Sequence, residues 1–406
     1  MTTPDSQGSD NSDCSSDAGS DNISLTSTEV YSQEPFGTYS DRVRTLLSEI
    51  YGVEAATSAD ISRRQGGSFN RIIGIILQSA DSTSEDLILR IPRFSEEVDA
   101  AGIIRQVGVL RCLRAFLPVP EVVLFDASSN NTLERAFMIM RRIPGESLFV
   151  VLHTLSVSDR CDLAVQLARL ISTIHSMPVP QAVGPLSCGE DGQLCVARIT
   201  KHDEGLGPDE LSPRSAPLSL SDFISTRTNE IRDWSIRKWP TESFYGDLCD
   251  QMQEIWKNLL GDVAFSERQV LFHRDFAARN IIIHQDTADS RWSIKAVLDW
   301  DEADVAPLEL ASVWPDWLWS HADEPTSEIS VAESDPDLPV YDEECGQIRA
   351  AFVSEIERLE PGYVDRVRLA RDTKLNTLYN RARDGFNSNE QIGEISDLFL
   401  DLELDK

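Results

Sequence analysis

The chain has 406 residues, of which 41% are apolar, so it is long enough for two packed lobes and can build a hydrophobic interior. Its formal net charge of −31 at pH 7 argues against nucleic acid or an anionic membrane surface as the main partner. No apolar run approaches the roughly 18–20 residues that span a bilayer, and no basic-then-apolar signal opens the chain, so we expect a soluble, cytoplasmic protein.

The acidic balance has two interpretations. It can simply keep the protein soluble, or it can provide a field that attracts a cationic substrate such as a polyamine or an aminosugar. The seven cysteines contain no CxxC pair and no His/Cys spacing suited to zinc. Cys112 and Cys161 lie in apolar periodic stretches, which predicts buried thiols in a reducing compartment.

Two segments have the composition of unstructured chain. Residues 1–36 are rich in Ser, Asp, Thr and Gly and contain no Lys or Arg. Such a segment buries too little surface to offset its ordering entropy, which predicts a disordered acidic tail. Residues 322–344 are acidic and contain proline, which predicts a long exposed loop.

The amino-terminal part that follows the tail alternates helices with strands. Apolar side chains at positions 43, 46, 47 and 50 predict an amphipathic helix over 40–51. Apolar runs predict strands at 71–78, 86–93, 118–126 and 136–143, with a helix over 96–117 between the second and the third.

After residue 145 the pattern becomes mainly helical. Periodic apolar residues predict helices at 156–177, 221–232, 246–260, 345–359, 362–385 and 389–403. Residues 178–220 carry little periodicity, whereas the apolar runs NIIIH and IKAVLDW flank a polar turn and predict a hairpin. A small sheet-rich lobe before a large helical lobe is the layout of a kinase.

The residues of this hairpin and of the loop before it have the chemistry of phosphoryl transfer. HRDFAARN contains Asp275 and, five residues later, Asn280, and the second strand of the hairpin ends at Asp299. Phosphoryl transfer needs one carboxylate that orients the attacking hydroxyl and takes its proton, and oxygen ligands that hold Mg²⁺ against the phosphates. The alternative is a surface loop in which Asp and Asn only cap turns.

A second stretch, QGGSFNRIIGIIL, has the features of a phosphate-binding loop. Gly66 and Gly67 allow backbone N–H groups to approach phosphates, and Ser68 is placed to lie over the β- and γ-phosphates. Arg90, in the following strand LILRIPR, is a cation suited to the α- and β-phosphates. The alternatives are an ordinary Gly-Gly turn and a surface arginine on an edge strand.

A third stretch, AFMIMRRIPG, is the last predicted strand of the small lobe and would lead into the hinge of a kinase. There the adenine would be bound by the backbone C=O of Arg141 and the backbone N–H of Ile143, with Met140 before the hinge. Backbone recognition leaves almost no trace in a sequence, so this prediction rests on position.

The span from about 60 to 320 resembles the aminoglycoside phosphotransferase family, which is related to choline kinases and distantly to protein kinases. The resemblance is carried, in order, by GGSFN, LILRIPR, LPVPEVVLFD, FMIMRRIPGESL, FHRDFAARNIII and VLDWDEADVAPLELA.

This resemblance implies an α+β, protein-kinase-like bilobal fold with a nucleotide-binding lobe over 37–143 and a helical catalytic and substrate lobe over 144–406. It implies ATP-dependent O-phosphorylation of a small molecule. By position, Asp275 is the catalytic base, Asn280 and Asp299 hold Mg²⁺, and Gly66, Gly67, Ser68 and Arg90 bind the phosphates.

Three departures from related sequences leave a second hypothesis open. Arg90 replaces the lysine that is common in the wider kinase group, Gln106 stands where a glutamate normally pairs with that cation, and Glu309 replaces an aspartate. Arginine can hold phosphates without an ion pair, but glutamine contributes no charge. The alternative function is a pseudokinase that binds a nucleotide or a partner without catalysis.

A protein kinase is the less favoured alternative. A tyrosine kinase would have Asp-Phe-Gly where this chain has Asp299-Trp300-Asp301, followed by a long activation segment that is absent from the sequence. The similarity of AARN to tyrosine kinases is therefore interpreted as a local coincidence.

The acceptor is not encoded in a readable motif. In the family, part of the acceptor pocket comes from an insertion that here covers about 178–250. Asp301, Glu302 and Asp304, together with the 322–344 loop, could face a cationic aminosugar or amino-alcohol, or the loop could simply be solvated. His273 is predicted to brace the catalytic loop, and Trp314, Trp317 and Trp319 are interpreted as packing residues.

Overall fold

The computed structural model describes residues 34–64, 69–78, 84–93, 98–197, 217, 219–238, 244–262, 265–266, 268–320, 335–386 and 389–404. Most of the predicted tail and the part of the acidic loop before residue 335 lie outside these residues. The chain divides into two units. The first contains the residues up to Ile103 together with Val123–Arg142, and the second contains Ile104–Val122 and the chain from Ile143 onward.

The first unit is built on a five-stranded sheet of order β1-β2-β3-β5-β4. Its strands are β1 (Asp60–Arg63), β2 (Asn70–Gln78), β3 (Ser84–Pro92), β4 (Val122–Asp126) and β5 (Phe137–Arg141). The β2–β3 hairpin is regular and antiparallel from Asn70↔Pro92 to Gln78↔Ser84. The predicted strands are present, and β1, which has only four residues, was not predicted.

Helices α1 (Phe36–Tyr51) and α2 (Val53–Ser58) precede this sheet. Of the four apolar positions used to predict α1, Val43, Leu46 and Leu47 are buried and Ile50 packs against the same core. Their partners in the core are strand residues with apolar side chains, among them Ile73, Ile75, Leu87, Leu89, Phe137 and Ile139. The hydrophobic effect therefore accounts for the association of α1 with the sheet.

Helix α3 (Val98–Leu113) begins in the first unit and ends in the second. The predicted lobe over 37–143 includes residues 104–122, which lie in the second unit. One contact that links them to the rest of that unit is the hydrogen bond from Val297 N–H to Pro118 C=O, at 2.9 Å.

The second unit contains two small sheets, of order β11-β10-β6 and β8-β7-β12-β9. Their strands are β6 (Glu146–Ser147), β7 (Gly184–Cys188), β8 (Leu194–Val196), β9 (Gln269–Phe272), β10 (Ile281–Gln285), β11 (Trp292–Val297) and β12 (Asp304–Pro307). The predicted hairpin is β10–β11. The β7–β8 hairpin lies in the region of low periodicity and was not predicted.

The helices of the second unit are α4 (Leu148–Val151), α5 (Val157–His175), α6 (Leu220–Lys238), α7 (Phe244–Asp262), α8 (Leu308–Ala311), α9 (Glu343–Leu359), α10 (Tyr363–Asp372), α11 (Leu375–Asp384) and α12 (Asn389–Leu404). The helix predicted over 362–385 is two helices, because Lys374 between them has a left-handed backbone with φ 50°. None of the helices in the described ranges combines the length and apolar character needed to cross a membrane.

Cys112 and Cys161 differ from the prediction of buried thiols. Cys112 and Cys161 are only partly buried, and the sulfur atoms of Cys112 and Cys188 lie 2.7 Å apart. Burial, followed by the hydrogen bond with Cys188, raises the pKa of the Cys112 thiol to about 12. The thiol form of Cys112 therefore predominates near neutral pH.

Candidate active site

The predicted catalytic loop connects β9 to β10 within the second unit. β9 is buried throughout, and the loop then makes two tight turns in which Asp275 N–H donates to His273 C=O at 2.8 Å and Ala277 N–H to Asp275 C=O at 2.9 Å. Arg274 has a left-handed backbone with φ 60°, which the turn requires. A 3₁₀ turn, Ala278–Asn280, leads directly into β10.

The carboxylate of Asp275 is hydrogen-bonded at both oxygens. Asn280 Nδ2 donates to Oδ2 at 2.8 Å and to the backbone C=O of Asp275 at 2.9 Å. Arg279 Nη2 lies 2.5 Å from Oδ1. The loop therefore fixes the direction of this carboxylate, which is 38% exposed.

Arg279 contacts the candidate base Asp275 but was not predicted from the sequence. The stretch AARN was interpreted as a coincidental similarity to tyrosine kinases, and an irregular loop has no regular spacing from which the ion pair could be predicted. Arg279 is 52% exposed and its partner 38% exposed, so the pair is accessible to solvent and of small value for stability.

Asp299 follows β11 and is linked to the catalytic loop by its neighbour. Leu298 N–H donates to Asn280 C=O at 2.7 Å, and His273 Nε2 donates to Leu298 C=O at 2.8 Å. Asp299 is exposed and has a left-handed backbone with φ 64°. The structure thus brings together the segments that carry Asp275, Asn280 and Asp299.

The few oxygen ligands that these segments offer suit a magnesium ion better than a metal ion whose ligands all come from the protein. Because Nδ2 of Asn280 donates to Asp275, its Oδ1 is the atom that could ligate, and Asp299 offers a carboxylate from the adjoining segment. Within the described ranges, no group of three or more His, Cys, Asp or Glu side chains could hold a metal. Mg²⁺ commonly binds one or two protein oxygens and takes its other ligands from phosphates and water.

His273 braces the loop, as predicted. Its ring is buried between Phe276 and Trp300, with ring centroids 5.9 and 4.5 Å away. Burial lowers the pKa of His273 below its ordinary value, against the effect of the hydrogen bond to Leu298. Its Nδ1 has no hydrogen-bond partner among the described residues, which agrees with a neutral imidazole that donates from Nε2.

Two of the three carboxylates that were predicted to face a cationic acceptor, Glu302 and Asp304, have arginine partners. Asp304 is completely buried, and its Oδ2 lies 2.7 Å from Arg383 Nε and 3.5 Å from Arg274 Nε. Glu302 lies 2.8 Å from Arg383 Nη2. Glu309, one of the departures noted in the sequence, is buried and accepts from Ser266 N–H at 2.9 Å.

The tryptophans of VWPDWLW serve mainly in packing. Trp314 and Trp319 are buried and both contact Phe352 of α9, with ring centroids 5.9 and 5.7 Å apart. Trp317 is partly buried. The packing interpretation therefore applies to Trp314 and Trp319.

The predicted nucleotide residues are divided between the two units. Gly66, Gly67 and Ser68 lie outside the described residues. Arg90 is only 7% exposed and lies in β3 opposite Ile72 and Met138, so it is not a surface arginine on an edge strand.

The proposed hinge residues lie at the junction of the units. Arg141 is the exposed last residue of β5, with Nη1 3.7 Å from Glu85 Oε1, and Ile143 begins the second part of the other unit. In the second unit, the side-chain oxygen of Gln106 is buried and has no hydrogen-bond partner among the described residues. The proposed contacts of Arg90, Arg141 and Ile143 with a nucleotide stay predictions.

A comparison with protein-family models finds a match over residues 77–343 to APH, the phosphotransferase enzyme family. The chain belongs to this family. The match covers more than half of the chain and includes the whole catalytic loop and the β10–β11 hairpin. Family membership confirms the predicted kinase-like fold, with a sheet-containing amino-terminal region and a helical carboxy-terminal region. It also supports the coarse activity, phosphoryl transfer to a small molecule.

Individual relatives of this family member are distant. A subtelomeric hrmA-associated cluster protein of Aspergillus fumigatus is 22% identical over 356 residues, which cover 72% of this chain and 67% of the relative.

Solved structures are more distant in sequence. The ADP-bound aminoglycoside phosphotransferase APH(2'')-Ib is 16% identical with a TM-score of 0.46, over 87% of this chain and 96% of that one. Macrolide 2'-phosphotransferase MphH from Brachybacterium faecium is 13% identical with a TM-score of 0.41, over 87% and 98%.

Proposed function

We propose that this protein is an ATP-dependent O-phosphotransferase that acts on a hydroxyl group of a small molecule. The observation that carries the proposal is the linkage of the catalytic loop to the segment after β11. Leu298 donates to Asn280 and accepts from His273, which holds the Asp275, Asn280 and Asp299 segments side by side. Family membership supports the reaction class.

In the proposed reaction, the carboxylate of Asp275 accepts the proton of the acceptor hydroxyl as that oxygen attacks the γ-phosphorus. The new O–P bond forms while the bond from the γ-phosphorus to the bridging oxygen breaks, and ADP leaves. Asn280 and Asp299 would hold Mg²⁺, which would neutralise charge on the phosphates. Arg279 and Asn280 orient the base by donating to its two oxygens.

The nucleotide assignment rests on sequence position and on the family. We assign phosphate binding to Gly66, Gly67, Ser68 and Arg90, and adenine binding to the backbone of Arg141 and Ile143. Some of the similar solved structures are complexes with ADP or ATP, and others are complexes with GDP. GTP is therefore a necessary second nucleotide in any binding test.

The acceptor is assigned only as a small molecule. Solved relatives are described as complexes with streptomycin, gentamicin or kanamycin, or as macrolide phosphotransferases. A cationic acceptor stays a prediction, because Glu302 and Asp304 are paired with arginines and the described part of the 322–344 loop begins at residue 335.

The test is thermal unfolding with and without Mg-ATP and Mg-GTP, for the wild type and for Asp299→Asn. A ligand that binds only the folded state stabilises it by about 2.7 kcal/mol at roughly 100 times its Kd. This corresponds to a rise of a few degrees in Tm for a chain of this size. We expect a rise that requires Mg²⁺ in the wild type and is lost in Asp299→Asn.

Asp289→Asn is the matched control, because Asp289 is an exposed carboxylate in the turn between β10 and β11. The control variant should keep the full Mg²⁺-dependent rise. Absence of a rise with either nucleotide in the wild type would contradict the proposal and favour a partner-binding pseudokinase.

A further inference from the structure

A cluster of ionic side chains joins the catalytic loop to α11, near the carboxy-terminal end of the chain. We call it the Arg274 cluster; its members are Arg274, Glu302, Asp304, Arg383 and Asp384. Arg274 Nη2 lies 2.8 Å from Asp384 Oδ2, and Arg274 Nε lies 3.5 Å from Asp304 Oδ2. Arg383 Nε lies 2.7 Å from the same Asp304 oxygen.

Two uncharged residues of α11 complete the contacts of the Arg274 cluster. Tyr379 donates its hydroxyl to Asp304 Oδ2 at 2.8 Å, and Arg274 Nη2 donates to Asn380 Oδ1 at 3.0 Å. Tyr379 is fully buried and stacks on Phe223 of α6, with ring centroids 5.1 Å apart. The contact between Tyr379 and Asp304 therefore belongs to the packed interior, whereas the side chains of Asp384 and Glu302 are 35% and 59% exposed.

The charge states of Tyr379 and Asp384 agree with this arrangement. Burial raises the pKa of Tyr379 well above its usual value, and the nearby Asp304 carboxyl adds to the effect, so the hydroxyl stays protonated and donates. Burial would raise the pKa of Asp384, but the guanidinium of Arg274, followed by that of Arg383, leaves it below its usual value. Asp384 therefore remains ionised and paired at neutral pH.

The position of α11 is also fixed from its other side. Arg227 of α6 donates to the backbone carbonyls of Ala382 at 3.2 Å and of Arg383 at 3.3 Å. These carbonyls belong to the last turn of α11, where a cation both satisfies hydrogen bonds and interacts favourably with the helix dipole.

The backbone is strained at two positions in the catalytic segments, one just before Asp275 and the other at Asp299. Arg274 and Asp299 both have positive φ angles, which L residues other than glycine seldom adopt. Such conformations persist where surrounding contacts hold them and are concentrated at functional sites. The Arg274 cluster supplies such contacts to Arg274, which immediately precedes Asp275. Through Glu302 and Asp304 it also supplies contacts to the segment that follows Asp299.

We propose that α11 is a positioning element of the active site, which holds the catalytic loop against the Asp299 segment through the Arg274 cluster. The catalytic consequence rests on the proposed function, but the positioning itself does not. α11 lies beyond residue 343, where the match to the family model ends. The inference therefore assigns an active-site role to a part of the chain that the family match does not cover.

The test variant is Asp384→Asn, which weakens the contact to Arg274 without leaving the buried Asp304 unpaired. Arg274→Ala or Arg383→Ala would remove a partner from Asp304 and could prevent folding. Tyr379→Phe is the second variant, because it deletes one hydrogen bond to Asp304 and keeps the ring. The matched control is Glu394→Gln. Arg381 of α11 lies 3.4 Å from the exposed carboxylate of Glu394, which belongs to α12, so this change removes a partner of α11 outside the Arg274 cluster.

The first readout is amide hydrogen exchange of the nucleotide-free protein. Loss of one charge-assisted hydrogen bond should raise exchange in residues 271–280 and 298–304 about tenfold in Asp384→Asn and less in Tyr379→Phe. Exchange in β2 and β3 of the first unit serves as the internal reference and should not change. Unchanged exchange in both catalytic segments of Asp384→Asn, or an equal rise in Glu394→Gln, would overturn the proposal.

The second readout is Mg²⁺-dependent ATP hydrolysis, with water as the acceptor. We expect kcat to fall about tenfold in Asp384→Asn while KM for Mg-ATP changes less than about twofold, because the loop and not nucleotide binding is disturbed. Absence of ATP hydrolysis in the wild type would count against the proposed function. Amide hydrogen exchange would still decide whether α11 has the positioning role. Normal kcat together with normal hydrogen exchange in Asp384→Asn would overturn the positioning inference but not the proposed function.

Discussion

The β2–β3 hairpin of the first unit and the catalytic segments of the second unit are held by different kinds of interaction. In the hairpin, a regular register places Ile73, Ile75, Leu87 and Leu89 in an apolar core. In the catalytic segments, the backbone is irregular, and its shape depends on hydrogen bonds and ion pairs with specific partners.

This difference separates the region that contributes most to the free energy of folding from the region whose exact geometry matters most for the site. Burial of apolar surface is not directional, so a sheet core tolerates small shifts and contributes to stability in proportion to buried area. Hydrogen bonds and buried ion pairs are directional, and breaking one leaves an unsatisfied polar group. Substitutions in the two regions should therefore have separable effects on turnover and on unfolding.

The largest expected effect is on turnover. Asp275→Asn removes the proposed base while keeping its shape, and should lower kcat of phosphoryl transfer or ATP hydrolysis by about 10²–10⁴-fold. Its free energy of unfolding should change by less than about 1 kcal/mol, because the ion pair with Arg279 is half-exposed. Steady-state kinetics and urea unfolding measure the two quantities. Equal turnover in Asp275→Asn and wild type would contradict the enzymatic proposal.

The next effect is on stability alone. Leu89→Ala deletes a fully buried side chain of β3 and should lower the free energy of unfolding of the first unit by about 3 kcal/mol. Leu400→Ala is the control, because that leucine of α12 is 58% exposed and should cost less than about 0.5 kcal/mol. Urea unfolding followed by circular dichroism measures both. A similar cost at the two positions would break the contrast between core and surface.

Gly145 tests how closely the chain packs on the catalytic hairpin. Its φ is 132°, and an added Cβ would collide with the backbone C=O of Ile283 in β10. Gly145→Ala should therefore lower the free energy of unfolding by about 2 kcal/mol. Gly246→Ala, at an open position of helix α7, should instead stabilise by about 0.5–1 kcal/mol. Stabilisation by both substitutions would show that Gly145 has no backbone requirement.

The smallest expected effect is a pH dependence. Burial holds the pKa of His273 below its ordinary value, so on acidification the unfolded chain takes up a proton that the folded chain does not. The wild type should therefore lose stability through this residue as the pH falls through about 6.5, the ordinary pKa of histidine, and His273→Gln should lack that component. Urea unfolding across this range measures it. An equal loss of pH dependence in His153→Gln, which changes an exposed histidine, would contradict the assignment.

The predicted elements that the structure reproduces have strong local signals. α1 and the β2–β3 hairpin have apolar periodicity and clear turns, and the β10–β11 hairpin has two apolar runs around a polar turn. β1 and the β7–β8 hairpin were missed because strands of three to five residues carry too little periodicity. The break between α10 and α11 was missed because a left-handed lysine has no sequence signature.

By itself, the sequence determined the family and the kinase-like fold, because several short motifs recur in order along the chain, and it determined the spacing of Asp275, Asn280 and Asp299. Only the tertiary structure decided the role of the carboxylates after Asp299. Asp304 has the sequence character of a solvent-facing acid, yet it is fully buried and bonded to Tyr379, 75 positions away. A pairing over that distance depends on how α11 packs, and packing is set by the whole folded unit and not by local pattern.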